Sequence, residues 1–265
     1  MKFMIRTLTY CLSCKTDFMK HLILYSLVLP MVLPGAGGAK ANLITNNGFE
    51  ITETTGDGLP DMFGDWDGDD SAIVTSENGI TSFEGLQMLH FIATTSSGPH
   101  PSFNASEVFQ LIDMNPFSTA ISTGLAIASA SAHFNRVTGD SQTDTRFAVA
   151  LYAFAGSPST FPSDFPVSNF LTSASRSVFT DGDTATWEIA SVDLLLPTNT
   201  DYLALRLTAS EDIFNDGTAP EFDGHYADKV SLNVNAIPEP STYLLLVVSI
   251  FAVFVCRWLR QQPVT

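Results

Sequence analysis

Between residues 42 and 237 the chain has no cysteine; its three cysteines are Cys11, Cys14 and Cys256. Disulfides cannot staple this stretch, so its stability must come from core size, hydrogen bonding or bound metal. Positive charge is scarce as well. The same stretch carries 26 acidic residues and only Arg136, Arg146, Arg176, Arg206 and Lys229 on the basic side, a net charge of −21. Phosphate binding needs clustered Lys and Arg, which excludes nucleic acid as a partner. An acidic surface instead favours solubility and attracts divalent cations. Enzyme signatures are missing too: there is no G-x-S-x-G elbow and no H-E-x-x-H helix. His90, His100, His133 and His225 are scattered without ligand spacing, and the C-x-x-C of Cys11 and Cys14 has no second pair. Amphipathic helices of any length are absent from residues 42–237.

What fills the space is strand periodicity. Arg146–Phe154 alternates, with Phe147, Val149, Leu151 and Ala153 on one face. Tyr202–Thr208 places Leu203, Leu205 and Leu207 inward, with Tyr202, Ala204, Arg206 and Thr208 outward. Val230, Leu232 and Val234 alternate with Lys229, Ser231 and Asn233. Further strands are expected at Leu43–Ile44, Ser71–Ser76, Gln87–Ala93, Glu107–Asp113, Leu125–Phe134 and Thr186–Leu196. Turn clusters separate them, among them Gly98-Pro99-His100-Pro101, Thr138-Gly139-Asp140-Ser141 and Asp181-Gly182-Asp183. Many short strands at this spacing predict an all-β chain, a single antiparallel β-sandwich of jelly-roll type over residues 42–236.

Both ends read as export machinery. Met19-Lys20-His21 precedes the apolar stretch Leu22–Leu33, and small residues follow up to Ala39-Lys40-Ala41. That is the pattern of a signal peptide, expected over residues 1–41, with Asn42 as the mature start and Met19 as the true first residue. At the other end, Pro238-Glu239-Pro240 leads into the uncharged run Tyr243–Cys256, which ends in Arg257-Trp258-Leu259-Arg260. The prolines keep the approach extended. The run suits a lipid-embedded helix over residues 243–259, and the arginines hold its end in the cytoplasm. At about 1.5 Å per residue the helix reaches roughly 26 Å, short for a core of about 30 Å. Residues 237–265 resemble the PEP-CTERM sorting tail of exported Gram-negative proteins. The resemblance implies that an exosortase-type membrane protease recognises Pro238, Glu239 and Pro240 and removes the helix, so the protein is membrane-anchored before processing. The mature chain is then expected at the cell-envelope surface or in the extracellular matrix.

Particular residues narrow the sandwich. Asn42-Leu43-Ile44-Thr45-Asn46-Asn47-Gly48-Phe49-Glu50 resembles the opening strand of carbohydrate-binding jelly rolls with a galactose-binding-like fold. Gly58-Leu59-Pro60-Asp61 before Trp66, Glu84-Gly85-Leu86-Gln87-Met88-Leu89, and Ala227-Asp228-Lys229-Val230-Ser231-Leu232 look like later segments of that family, with Lys229 where a second acid is usual. The resemblance implies that Glu50 and Asp228 bind a structural Ca²⁺ together with backbone carbonyls; the alternative is a pair of solvated strand-end carboxylates. The acidic run Asp65–Asp70 is no EF-hand: counted from Asp65, the sixth residue is Asp70 and the twelfth Ser76.

Glycan binding requires an aromatic platform with a few polar partners. The candidates are Tyr152, Phe161, Phe165 and Tyr226, with Phe170 beside them; the phenylalanines equally suit a cover over the end of the core, and Trp66 and Trp187 read as core. The expected function is a non-enzymatic surface or matrix protein that binds exopolysaccharide. Two other readings stand beside it, a secreted glycan hydrolase or lyase built on some pair of the acids, and a bulk matrix protein without a ligand.

Overall fold

The computed structural model describes residues 41–53, 55, 58–92, 105–137, 145–211 and 224–237, with residue 253 alone beyond them. The signal segment up to Lys40, the sorting residues Pro238, Glu239, Pro240, Arg257 and Arg260, the expected helix 243–259 and the turns at 98–101 and 138–141 lie outside the described residues. Among the described residues no helix is long and apolar enough to cross a membrane.

Among the described residues ten strands form two antiparallel sheets packed as a sandwich. They are β1 (Trp66–Gly68), β2 (Ser71–Val74), β3 (Met88–Phe91), β4 (Ala105–Asp113), β5 (Ala126–Arg136), β6 (Thr145–Phe154), β7 (Thr172–Phe179), β8 (Glu188–Leu195), β9 (Tyr202–Glu211) and β10 (His225–Ala236). The first sheet runs β1-β4-β9-β6-β7 and the second β2-β3-β10-β5-β8, so the chain crosses between sheets repeatedly as it winds. Two short helices interrupt the strands, α1 (Ser118–Ser122) after β4 and α2 (Phe161–Asp164) after β6.

Alternation explains the core. Phe147, Val149, Leu151, Leu203, Leu205 and Leu207 from the first sheet face Ala128, Phe134, Val192, Leu232 and Val234 from the second, all buried in one cluster. The first segment is sewn onto the last strand without itself forming a strand. Leu43 N donates to Leu232 O at 2.9 Å, Leu232 N to Asn42 Oδ1 at 2.9 Å, and Val230 N to Asn47 O at 2.8 Å. Gly68 is needed where β1 crosses β4: its φ is +150°, and a Cβ there would collide with the Glu107 backbone.

Two expectations change. Tyr202 and Ala204 are fully buried although they lie on the outward face of β9. The segment 156–170 folds back over that face and builds a second small core with Phe109, Leu111, Phe154 and Phe161. Strand β7 was not anticipated, because in Thr-Ser-Ala-Ser-Arg-Ser-Val-Phe only Ala174 and Val178 pack against the core, with Arg176 between them.

Trp66 is the largest buried side chain near the chain's start. Its ring lies 5.2 Å from that of Phe49, and its Nε1–H donates to Thr45 O at 3.2 Å. Trp66→Ala should destabilise the domain by about 3–5 kcal/mol, from lost burial plus the cavity left behind. Thermal melting should show a midpoint roughly 10 °C lower; a shift of under 2 °C would remove Trp66 from the essential core.

Candidate functional site

The outer face of the first sheet carries the richest polar constellation. Row by row across the strands, Asp113, Tyr202 and Phe154 align, then Leu111, Ala204, Tyr152 and Ser173, then Phe109, Arg206, Ala150 and Ser175, then Glu107, Thr208, Ala148 and Ser177. The first two rows lie under the aromatic lobe. Ser157 caps a short turn at Pro158–Thr160, and α2 then presents Phe161 between Phe109 and Phe154, at 5.6 and 5.4 Å. Phe165 and Phe170 meet the Tyr152 ring edge-on at 5.1 and 5.2 Å. Aromatic rings at these distances and tilts prefer such herringbone contacts.

The lobe ends at Tyr152 and Phe165, and there the chemistry begins. The Arg206 guanidinium carbon lies 5.2 Å from the Tyr152 ring centre and 6.0 Å from that of Phe165. Its Nη1 donates to Glu107 Oε1 at 2.8 Å. Burial pushes the Glu107 carboxyl above its usual range; Arg206 opposes that push and Asp69 adds to it. Asp69 is fixed beside it, its Oδ2 accepting the Glu107 N–H at 3.0 Å. Burial likewise raises the Tyr152 hydroxyl's pKa, against the pull of Arg206. Arg206 Nε and Thr208 Oγ1 are buried and have no hydrogen-bond partner among the described residues. Beyond them the floor is Ala148 and Ala150, and the rim is the exposed serine row of β7. The face thus offers a partly exposed guanidinium, a carboxylate and aromatic edges beside a floor of small side chains and the exposed serine row.

The four aromatic residues anticipated from the sequence fare differently. Tyr152 and Phe165 are half-buried and border this constellation. Phe161 is fully buried beneath it and cannot touch a ligand, because Phe109 and Phe154 enclose it. Tyr226 is fully buried on the other sheet, its hydroxyl donating to Glu77 Oε1 at 3.0 Å while accepting from Asn78 Nδ2 at 2.8 Å. It is no platform. Trp187 is half-buried and donates to Thr81 O at 3.2 Å. The exposed Phe83 beside it is covered on its faces, by the His133 ring at 4.0 Å and by Lys229 Nζ at 5.0 Å. Glu107, Arg206 and Thr208 were not anticipated as site residues. The available signal was Arg206 itself, a rare cation in an outward strand position.

Glu50 and Asp228 grip opposite ends of one loop. Asp228 Oδ2 accepts the N–H groups of Phe83 and Glu84 at 2.7 and 3.1 Å, and Oδ1 accepts that of Lys229 at 2.6 Å. Glu50 Oε1 accepts the N–H groups of Leu86 and Gln87 at 2.8 and 3.1 Å. Gly85, between them, has φ +66°, and a Cβ there would strike the Glu50 carboxylate. These N–H donors occupy both Asp228 oxygens and Glu50 Oε1. As placed, the two carboxylates form a hydrogen-bonded clasp around this loop.

No family model matches the sequence, and no curated protein matches it. Solved structures do. A family 61 carbohydrate-binding module in complex with β-1,4-galactotriose is 13% identical with a TM-score of 0.45, the match covering 74% of this chain and 100% of that one. A family 16 carbohydrate-binding module is 14% identical with a TM-score of 0.39, over 72% of this chain and 99% of that one. A xylan-binding domain of family 22 is 12% identical with a TM-score of 0.38, over 72% and 97%. At such scores the likeness assigns no ligand; the side chains above have to carry the argument.

Burial pushes the Asp228 carboxyl up to about 6 from 3.8, against the downward pull of its N–H donors. The folded state therefore binds the extra proton between these values, and stability falls as pH rises through about 6. Burial raises Glu107 and Glu188 in the same direction. Burial holds the His133 imidazole low, which acts in the opposite sense over the same range, so the Asp228 contribution is read by comparison: the melting midpoint at pH 5 minus that at pH 7.5 should be smaller in Asp228→Asn than in the parent. If Glu50 and Asp228 hold a structural Ca²⁺, the midpoint at pH 7.5 should be several degrees higher in millimolar Ca²⁺ than in chelator; an unchanged midpoint would dispose of the ion.

Proposed function

We propose that this is an exported, non-catalytic module that holds a polysaccharide on the outer face of its first sheet. One observation carries the reading: Arg206, braced by Glu107 and lying over Tyr152 and Phe165, with all four side chains still partly exposed at the border of the aromatic lobe. Sugars are recognised by aromatic carbon surface together with a few aimed donors and acceptors, and an arginine–carboxylate pair offers both to neighbouring hydroxyls. The exposed serines of β7 extend the polar row, so that several sugar units of an extended chain have partners.

Export belongs to the same proposal. The signal segment and the PEP tail support delivery through an exosortase-type protease to the envelope surface or matrix, with the C-terminal helix as a membrane handle before cleavage. Pro238→Ala with Pro240→Ala should leave the uncleaved chain in the membrane fraction, read by immunoblot; unchanged release would sever the tail from sorting.

A glycan hydrolase or lyase is the second reading. It is favoured by Glu107, a carboxyl with raised pKa beside Asp69. Against it, Glu107 is bound to Arg206, and Asp69 is committed to the Glu107 backbone. Affinity electrophoresis through gels cast with exopolysaccharide should show retardation without release of reducing ends. Tyr152→Ala should weaken binding about tenfold, roughly 1.4 kcal/mol, with circular dichroism confirming the fold. Release of reducing ends would establish the enzyme, and no retardation on any polysaccharide the bulk matrix protein.

A further inference from the structure

We propose that β7 is a self-pairing edge, through which two copies of this chain join their first sheets antiparallel about a two-fold axis at Ser175. The proposal does not rest on the glycan reading.

Of the four sheet edges, β1 and β2 are short, at three and four residues. Beside them the chain doubles back, with Gly58 N donating to Gly68 O and Thr55 Oγ1 to Ser71 O. Edge β8 carries Glu188 and Asp193, which blunt it in a domain of such net negative charge. Edge β7 has none of these protections. It is eight residues long, holds no Pro, Lys, Asp or Glu, and no described strand pairs with its outer side. From Phe165 to Thr180 there is no acid at all, and Arg176 is the single charge. Two copies of a strongly acidic domain can approach there without carboxylates meeting.

Partner and register follow from the side chains. Antiparallel pairing places residues of one parity opposite each other on the same face. A two-fold at Ser175 sets Ser173 against Ser177 of the second copy and Ala174 against Arg176, so the two arginines are never opposed. It also sets Phe179 against Leu171, once at each end of the seam. Both side chains are large, apolar and exposed, at 47% and 38%. Thr172 meets Val178, a favourable pair on a pleated surface. The same patch covers itself twice, as an isologous interface requires. The result is one ten-stranded sheet, in which the two Arg206–Glu107 faces lie on the same side.

Cysteine replacements test both the contact and its register. Opposed residues of an antiparallel pair have Cα atoms about 4.5–5.5 Å apart, within disulfide reach. The purified full-length protein, with Cys11, Cys14 and Cys256 changed to Ser, should sediment as a dimer, and Ser175→Cys should cross-link it under mild oxidation. Ser173→Cys mixed with Ser177→Cys should cross-link, while either alone should not. Ser175→Lys, which opposes two cations at an exposed position, should give a monomer with an unchanged circular dichroism spectrum and a midpoint that no longer rises with protein concentration. A monomer at every concentration would overturn the proposal. So would a dimer that survives Ser175→Lys or fails to cross-link at Ser175, because its interface would lie elsewhere.

Discussion

The packing of the segment 156–170 onto the outer face of the first sheet governs what this molecule can do. A sandwich sheet usually buries one face and leaves the other to solvent. Here half of the second face is dry as well, because Phe161, Phe165 and Phe170 interlock with Phe109, Tyr152, Phe154 and Tyr202. The border of that aromatic mass is where Arg206 and Glu107 are held, partly out of water and against rings. An ion pair in such a place is stiffer than an exposed one, and Ala150 and Ser175 lie across the strands in register with Arg206. The site is the margin of a packing solution.

The domain also has to close on itself without disulfides and with few cations. It does so through backbone and carboxylate hydrogen bonds between its first and last segments. Residues 42–47 run along β10, and Glu50 and Asp228 hold the loop 83–87 between them. Asp228 is the costly member of this clasp, since its charge is buried and only N–H dipoles offset it. Charge governs the edges as well. Carboxylates stand along β8, whereas β7 is free of them, so the two long edges of the sandwich are not equivalent.

The strands legible in the sequence were those with one apolar face, such as the leucines of β9 and the alternating β10. Residues 172–179 were not legible, because the inner face of this edge strand holds only Ala174 and Val178 against the core and is interrupted by Arg176, too little for a hydrophobic period. The outward set of β9 was read as solvent-facing, and for Tyr202 and Ala204 that was wrong. Alternation distinguishes two faces but does not say whether a distant segment will cover the second one. For the site, Tyr152 and Phe165 were within reach of sequence reasoning, since an aromatic in an outward position or a loop is visible as such. Phe161 and Tyr226 belong to the interior, and nothing in their spacing separates a ring pointing outward from one enclosed by its neighbours. Glu107 and Arg206 lie 99 residues apart and meet only because β4 and β9 pair in one register.

The amino-acid sequence by itself determined the class of fold, the absence of disulfides from the domain, its acidity and the pattern of its two ends. These follow from composition and local periodicity, which need no partner in space. Only the tertiary structure decided where Arg206, Glu107 and the aromatic border come together, which aromatics are interior, and which strands lie at the edges among the described residues. Those depend on strand register and on the fold-back of residues 156–170, contacts between residues far apart in the chain that no local pattern encodes.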